Sequence, residues 1–369
     1  MVLEKLQLIN FKNYQEASLD FKARINVFTG KNGSGKTNLL DAIHMLSFTR
    51  SAFFTNDLQH IFHGENHFMI KGSFRTRLRR NDILCATQVN QKKTFQENGV
   101  EYQKLSEHIG KYPVVMIAPD DIDLVKEGSE VRRKFFDSVI SQMDKPYLDD
   151  LILYNYFLKQ RNGLLKNTFD ESAIDHDLLH IYDEKLVSSG IRIFAKRSEF
   201  SKEFLPLFLQ HYKFLTENAP ERVNIIYRSD LANVNFQDAL KKNLKRDLYL
   251  QRTSVGIHRD DFLFTIHDAE LKKLGSQGQQ KSFLIALKLA DFQILAAKKE
   301  LKPIILLDDI FDKLDDVRIR KLMHLVAGDS FGQLFITDTN LERMRKLLSD
   351  VQVPVDYFSV NAGHVVAEG

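Results

Sequence analysis

The chain has 369 residues, with 52 Lys and Arg against 49 Asp and Glu, a formal net charge of +3 and 43% hydrophobic residues. That length leads us to expect two domains or one domain with a large insertion. The mild charge excess does not by itself announce a nucleic-acid binder, and no stretch approaches the roughly 20 apolar residues of a membrane span. The start, MVLEKLQLINFKNY, is charged and alternating, unlike a secretory signal, so a cytoplasmic protein with no membrane partner is expected. A single cysteine, Cys85, excludes an intrachain disulfide; in the run DILCATQV it reads as a buried small hydrophobe. Trp is absent and Phe is abundant at 28, from which no function follows.

Taken in chain order, VLEKLQLINFKNYQEASLDF reads as two strands with a turn, and INVFTG as a third strand. The stretch GKNGSGKT, Gly30 to Thr37, comes next, followed by a helix-like apolar repeat at Leu39, Leu40, Ile43 and Leu46. FMIKGSFRTRLRR and ILCATQVN form a hairpin with its turn expected at Asn81-Asp82, and YPVVMIAP is a buried strand. Near Asp123 the period changes from two to nearly four. Phe136, Ile140 and Met143 fall on one face, a new helix starts at Asp144 and Pro146, and Leu148, Ile152 and Leu158 follow on it. A long helical stretch spans about 174–216, then the strand VNIIYRS and a basic helix, NFQDALKKNLKRDLYLQR. β character returns with GIHRDDFLFTIHD. PIILL and LFIT resemble fully buried parallel strands, so the two β-containing halves are expected to share one sheet. The organisation is an α/β head split between 1–122 and 251–369, with a helical lobe at 123–250.

The chemistry concentrates in three places. Gly-x-x-x-x-Gly-Lys-Thr between a strand and a helix is a phosphate-binding loop. Its glycines let successive amide N–H groups face an anion, and the following helix adds its positive end. The cradle comprises Gly30, Lys31, Asn32, Gly33, Ser34, Gly35, Lys36, Thr37 and Asn38. Lys36 reaches the β- and γ-phosphates of ATP, and the Thr37 hydroxyl holds Mg²⁺. IILLDD is a hydrophobic strand ending in two carboxylates: Asp308 joins Thr37 at the Mg²⁺, and Asp309 polarises the attacking water, so Asp309 and Lys36 are the catalytic pair. Between these elements, LGSQGQQKSFLIALKLADF places Ser276 at the entrance of a helix with Phe283, Leu287 and Ala290 on one face, which is either a second anion site or an ordinary glycine-serine loop capping the helix.

In this order the motifs resemble an ABC-type ATPase head of the SMC-like branch. GSQGQQK looks like that superfamily's signature motif and DKLD, Asp312 to Asp315, like its D-loop. LINFKNY, APDDIDLVKEGSEVRRKFFD, LKQRNGLLK, GIHRDD and LLDDIFDKLD narrow the resemblance to the RecF family over essentially the whole chain. The resemblance implies a head with a β-rich subdomain and a short helical lobe in place of a coiled coil. It implies that Ser276, Gly278 and Gln279 bind the ATP held by a second subunit, giving an ATP-dependent homodimer. It also implies binding of single- and double-stranded DNA at gaps, recombinase loading with the RecO and RecR proteins, support of SOS induction, and slow hydrolysis acting as a switch. Asp309 stands where the wider superfamily has glutamate; APDD is the best Q-loop candidate, and Thr337 or Asp338 falls at the switch position. The rivals are a soluble P-loop ATPase or kinase acting on a small molecule, for which no separate catalytic constellation is found, and a transporter ATPase, which the helical insertion argues against.

Two basic features read from the residues are DNA candidates. Lys71, Arg75, Arg77 and Arg79 fall at spacing two, about 6.5 to 7 Å apart on one strand face. Lys241, Lys242, Lys245 and Arg246 gather on one helix surface. In each case the alternative is a solvated face. His258 and Arg259 serve either the nucleotide site or the junction of head and lobe, and the junction is favoured.

Overall fold

The structure is a computed structural model that describes residues 1–76, 79–167, 174–217, 220–310, 316–328 and 331–368. The chain forms two compact units, Met1–Asp121 with Leu215–Glu217 and Ile285–Gly369 in the first, and Ile122–Phe214 with Asn218–Leu284 in the second. Residues 251–284, grouped with the head on the sequence reading, lie in the second unit.

The first unit opens with β1 (Val2–Phe11), β2 (Tyr14–Asp20), β3 (Ile25–Thr29) and α1 (Lys36–Phe48). β4 (His67–Arg75), β5 (Arg80–Gln88), β6 (Thr94–Glu97), β7 (Val100–Glu101) and β8 (Val114–Ile117) follow. An antiparallel sheet in the order β2-β1-β4-β5-β6-β7 buries Leu6 and Leu8 of β1 and Phe68, Ile70 and Phe74 of β4, the alternation a one-sided sheet requires. The β4–β5 turn lies earlier than Asn81-Asp82. Arg75 pairs with Arg80 as the last rung, and the Thr76 N–H donates to the Arg79 carbonyl at 2.9 Å. Asn81 and Asp82 are strand residues instead. Asp82 accepts from the Ser73 hydroxyl at 2.6 Å and pairs with Lys71 at 3.0 Å, contacts that a turn at this point would forfeit.

In the second unit come α2 (Asp123–Lys126), α3 (Ser129–Met143), α4 (Lys145–Lys166) and the 40-residue α5 (His176–Leu215). β9 (Val223–Arg228), α6 (Phe236–Lys242), α7 (Leu244–Leu250), β10 (Asp261–Ile266), β11 (Ala269–Glu270) and α8 (Leu271–Leu274) follow, and α9 (Gln277–Lys299) begins in this unit, its residues 285–299 belonging to the first. The Asp144 side chain caps α4 by accepting from the Tyr147 N–H, with Pro146 in the first turn, as the sequence suggests. The buried stripe of α4 is Tyr147, Tyr154, Arg161 and Leu165, while Ile152 is 51% exposed. The inward face is written in aromatic and charged residues, which an aliphatic count overlooks. The expected single basic helix breaks at Asn243, whose amide side chain donates to the Ala239 carbonyl at 2.8 Å, and becomes α6 and α7. The abundance of Phe finds its reason here. Phe136 stacks on Phe262 at 4.0 Å and meets Phe200 and Phe204 edge-on, and Phe283 packs on Phe208 and Phe264.

Back in the first unit, β12 (Ile304–Asp308), α10 (Asp316–Ala327), β13 (Leu334–Asp338), α11 (Leu341–Leu347), β14 (Val355–Asn361) and β15 (His364–Glu368) close the chain. The second sheet runs β15-β14-β3-β13-β12-β8, so both halves do share one sheet. Strands β8, β12, β13, β3 and β14 are parallel, and β12 and β13 are buried throughout. α1 touches β4 and β5 of one sheet and β8, β12 and β13 of the other. This sandwiching explains why Ala42 and Met45 are buried along with Leu39, Leu40, Ile43 and Leu46.

Candidate functional site: a phosphate loop facing two strand-end carboxylates

The loop between β3 and α1 places its glycines where only glycine fits. Gly30 has φ 157°, and a Cβ there would stand 2.2 Å from the Val360 carbonyl oxygen. Gly35 has φ 113° and caps α1 without any side-chain hydrogen bond, leaving the helix start open to an anion. Lys31, Asn32 and Gly33 are exposed, and Asn38 is half-buried. The Lys36 ammonium donates to the Gly30 and Lys31 carbonyls at 2.7 and 3.0 Å, so it lies inside the loop. Burial lowers its pKa, and the nearby Asp309, Asp308 and Asp338 carboxylates oppose that shift.

The parallel register carries the two acids to this loop. β12 lies beside β13, and β13 beside β3, so the end of the Asp308 strand reaches the start of α1. The Thr37 hydroxyl donates to Asp308 Oδ1 at 2.9 Å and the Thr337 hydroxyl donates to the same oxygen at 2.8 Å. Burial raises the Asp308 carboxyl, against the lowering effect of these two hydroxyls. Asp309 sits one residue past the strand at φ 45°, a left-handed turn that Asp tolerates, and its N–H donates to Thr337 Oγ1 at 2.9 Å. Thr337 therefore touches both acids. The neighbouring switch candidate, Asp338, is engaged elsewhere, accepting from the Asn340 N–H at 2.7 Å and pairing with Arg343 at 2.6 Å.

These residues fit a nucleotide and its divalent cation. The Ser34 hydroxyl is buried without a hydrogen-bond partner among the described residues, and Thr37 with Asp308 offers a hard oxygen pair beside the Lys36 ammonium. At the Q-loop candidate, Asp121 accepts from the Ala118 N–H and pairs with Lys288, both at 2.7 Å. Asp312 to Asp315 lie outside the described residues.

In the second unit, Ser276 stands before the first turn of α9 and is exposed. Its N–H donates to the Gln279 side-chain oxygen at 2.7 Å while its hydroxyl accepts from the Gln279 N–H at 3.3 Å, a reciprocal cap. The Gln279 amide donates onward to Glu221 at 2.8 Å. Gly278 belongs to the same turn, its carbonyl accepting from the Ser282 hydroxyl at 3.0 Å.

The strongest family identifiers prove to be internal ties. Arg132 clasps Asp261 through two bonds at 2.8 and 2.9 Å, Arg197 joins Asp137 and Asp260 at 2.9 Å, and Arg161 joins Asp183 and Asp247 at 2.6 and 2.7 Å. His258 faces the Tyr154 hydroxyl at 2.8 Å and the Thr253 carbonyl at 3.1 Å. A carbonyl only accepts, so the His258 Nε2 carries the proton and Nδ1 receives the tyrosine; burial lowers the imidazole to about 4 and keeps it neutral. All these ties lie within the second unit, where those of Arg132, Arg197 and Tyr154 join residues 257–261 to the helices of the 123–250 segment, the structural use favoured for His258.

The two basic features fare differently. On β4 the row stops at Arg75, because the strand ends there and Arg79 lies in the turn; Arg77 is outside the described residues. Lys71 pairs with Asp82, and Arg75 pairs with Glu4. Lys241, Lys242, Lys245 and Arg246 are all exposed, with no ion pair to any described acid, and Tyr249 beside them is 87% exposed. Asn13 and Tyr14, which touch the phosphate loop, had no role on the sequence reading, since nothing in their spacing ties them to residues about 20 positions away.

Known proteins agree with this geometry. Residues 2–358 match the RecF/RecN/SMC N terminal domain family. The DNA replication and repair protein RecF of Flavobacterium johnsoniae is 47% identical over 98% of this chain and 100% of its own length. That of Cytophaga hutchinsonii is 46% identical over 93% and 90%. Among solved structures, the recombination mediator protein RecF-ATP in the RecFOR pathway is 33% identical, with a TM-score of 0.87 over 100% of this chain and 99% of the other. The Smc head domain of Pyrococcus furiosus bound to the C-terminal domain of ScpA shares the fold at a TM-score of 0.56 and 18% identity, covering 100% and 96% of the two chains. The phosphate loop, the paired strand-end acids and these likenesses over the full length lead to one conclusion: this chain belongs to the RecF family of SMC-like ABC-type ATPases.

Proposed function

We propose that the chain is an ATP-gated DNA-binding protein of recombinational repair and replication, acting in the cytoplasm with RecO- and RecR-type partners at single-strand gaps. The observation that supports this best is the convergence of Thr37 and Thr337 on Asp308, beside Lys36 in the phosphate loop. It supplies what a switch needs, a site that distinguishes ATP from ADP by its terminal phosphate. Thr37 and Asp308 would hold Mg²⁺, which would supply charge neutralisation at the phosphates. Lys36 neutralises the same phosphates from the loop side. Asp309 orients the attacking water. Its side chain is one methylene shorter than glutamate, and hydrolysis is correspondingly slow, timing release instead of driving motion.

Each ATP is completed by Ser276, Gly278 and Gln279 of a second copy, so ATP joins two subunits and its hydrolysis parts them. DNA, single- or double-stranded, meets the exposed cations of α6 and α7 before those of β4, since Lys71 and Arg75 are already paired. Support of SOS induction follows from recombinase loading at the gap. Fluorescence anisotropy of a labelled gapped duplex, titrated with the Asp309→Asn protein in ATP or ADP, tests the reading. Tighter binding in ATP that Lys36→Met abolishes is expected; no DNA binding with either nucleotide would overturn it.

A further inference from the structure

The outer side of the phosphate loop rests on two side chains from the turn between β1 and β2. The Asn13 amide donates to the Ser34 carbonyl at 3.0 Å, and its oxygen accepts from the Asn38 amide at 2.7 Å. The Tyr14 hydroxyl donates to the Gly35 carbonyl at 2.9 Å. From the turn between β14 and β15, the Gly363 N–H adds a second donor to the Ser34 carbonyl at 3.2 Å. Tyr14 is fully buried, and burial raises its phenol pKa, so it remains a donor. The contact has no slack. A Cβ on Gly35 would stand 2.4 Å from the Asn13 amide nitrogen and 2.8 Å from the Tyr14 hydroxyl.

The peptide bond converts these outward contacts into an inward one. In a trans peptide the carbonyl of one residue and the N–H of the next point in opposite directions, and the described bonds here are trans. Pinning the Ser34 carbonyl therefore turns the Gly35 N–H to the other side, and the Gly35 carbonyl does the same for the Lys36 N–H, held by the Asn38 and Leu39 N–H groups of α1 at 3.0 and 3.3 Å with the Tyr14 hydroxyl as its third donor. Neither N–H has an acceptor among the described residues. Inward N–H groups at a helix start are what makes such a loop bind an anion.

We propose that Asn13 and Tyr14 are positioning residues of the phosphate site: by holding the Ser34 and Gly35 carbonyls outward they aim the Gly35 and Lys36 amides at a bound polyphosphate. The proposal rests on the nucleotide reading above. Its test is equilibrium binding of a fluorescent ATP analogue to the full chain, competed with inorganic tripolyphosphate, for the unaltered protein, Tyr14→Phe, Asn13→Ala and the double variant. Each single change removes one orienting hydrogen bond and is expected to weaken the analogue about three- to tenfold. Tripolyphosphate, which lacks base and sugar, should weaken by the same factor. Thermal melts establish that each variant is folded; Asn13 is only half-buried, so Asn13→Ala keeps the test open if Tyr14→Phe does not fold. Variants that melt lower yet bind both ligands as the unaltered protein does would overturn the proposal, as would a loss for the analogue alone. Failure of the unaltered chain to bind either ligand would overturn the nucleotide reading with it, whereas tight binding unaffected by the variants sinks the positioning role alone.

Discussion

Buried cations are used in opposite ways at two places, the arginine clusters of the second unit and the phosphate loop of the first. In the second, Arg161 and Arg197 are fully buried and each is met by two carboxylates of its own chain. In the first, Lys36 is buried against loop carbonyls with Asp308 and Asp338 nearby, and the acceptors it holds are ones a phosphate could replace. The first arrangement satisfies its own charges and stabilises a fold; the second keeps a cation available and serves a ligand. The difference teaches that a charged motif legible in the sequence says nothing of its use until its partners are known, as RRKFFD and GKNGSGKT illustrate.

The largest expected effect breaks the structural side of this contrast. Arg197→Met leaves the buried Asp260 and the half-buried Asp137 without their cation and should cost about 3–5 kcal/mol of stability. Urea unfolding checks this, and a loss below about 1 kcal/mol would show that the pair is incidental. Next, Lys36→Met removes a charged hydrogen-bond donor and should weaken ATP on the order of 100-fold. Its unfolding midpoint in the absence of nucleotide should scarcely move, since burial of the ammonium is unfavourable by itself. Equal losses in binding and stability would erase the distinction between the units.

A third prediction concerns pH. Burial raises the Asp291 carboxyl to about 7, with Lys288 opposing and Asp121 reinforcing the shift. The native state thus holds a proton that the unfolded chain releases near pH 4, so stability falls as pH rises from about 4 to about 7 and levels off above. Asp291→Asn should flatten that fall and add about 1–3 kcal/mol at pH 8. Parallel pH profiles of the two proteins would refute it. The smallest effects sharpen the contrast between paired and unpaired cations. Charge reversal at Lys245 and Arg246 should weaken DNA binding to all sequences alike and reduce the salt slope by about one per contact, while Arg75→Glu should do less, being already engaged with Glu4. Equal slopes for both variants would sink this ranking.

Much of the site was legible because local sequence builds it. Gly30 to Thr37 is a single turn between a strand and a helix, and the paired acids end an apolar run, so each piece announces itself within a few residues. Corrections came where a long-range partner decides. Asn81 and Asp82 look like turn residues, yet Ser73, Lys71 and Asn98 keep them in a strand. Ile152 looks like core, yet α4 buries Tyr154 and Arg161 because they have partners there. The basic row on β4 is shorter than its alternation suggests, because alternation cannot tell where a strand stops.

By itself the amino-acid sequence determined the phosphate loop, the strand-end acids, the parallel strands and the family, because glycine placement, hydrophobic period and motif order are properties of neighbours along the chain. Only the tertiary structure decided that Thr337 bridges Asp308 and Asp309, that Arg161 and Arg197 are spent on the fold, and that Asn13 and Tyr14 hold the loop from outside. The physical reason is common to all three. A hydrogen bond depends on an approach within about 3 Å, and for residues far apart in sequence that approach is set by the register of strands and the packing of helices.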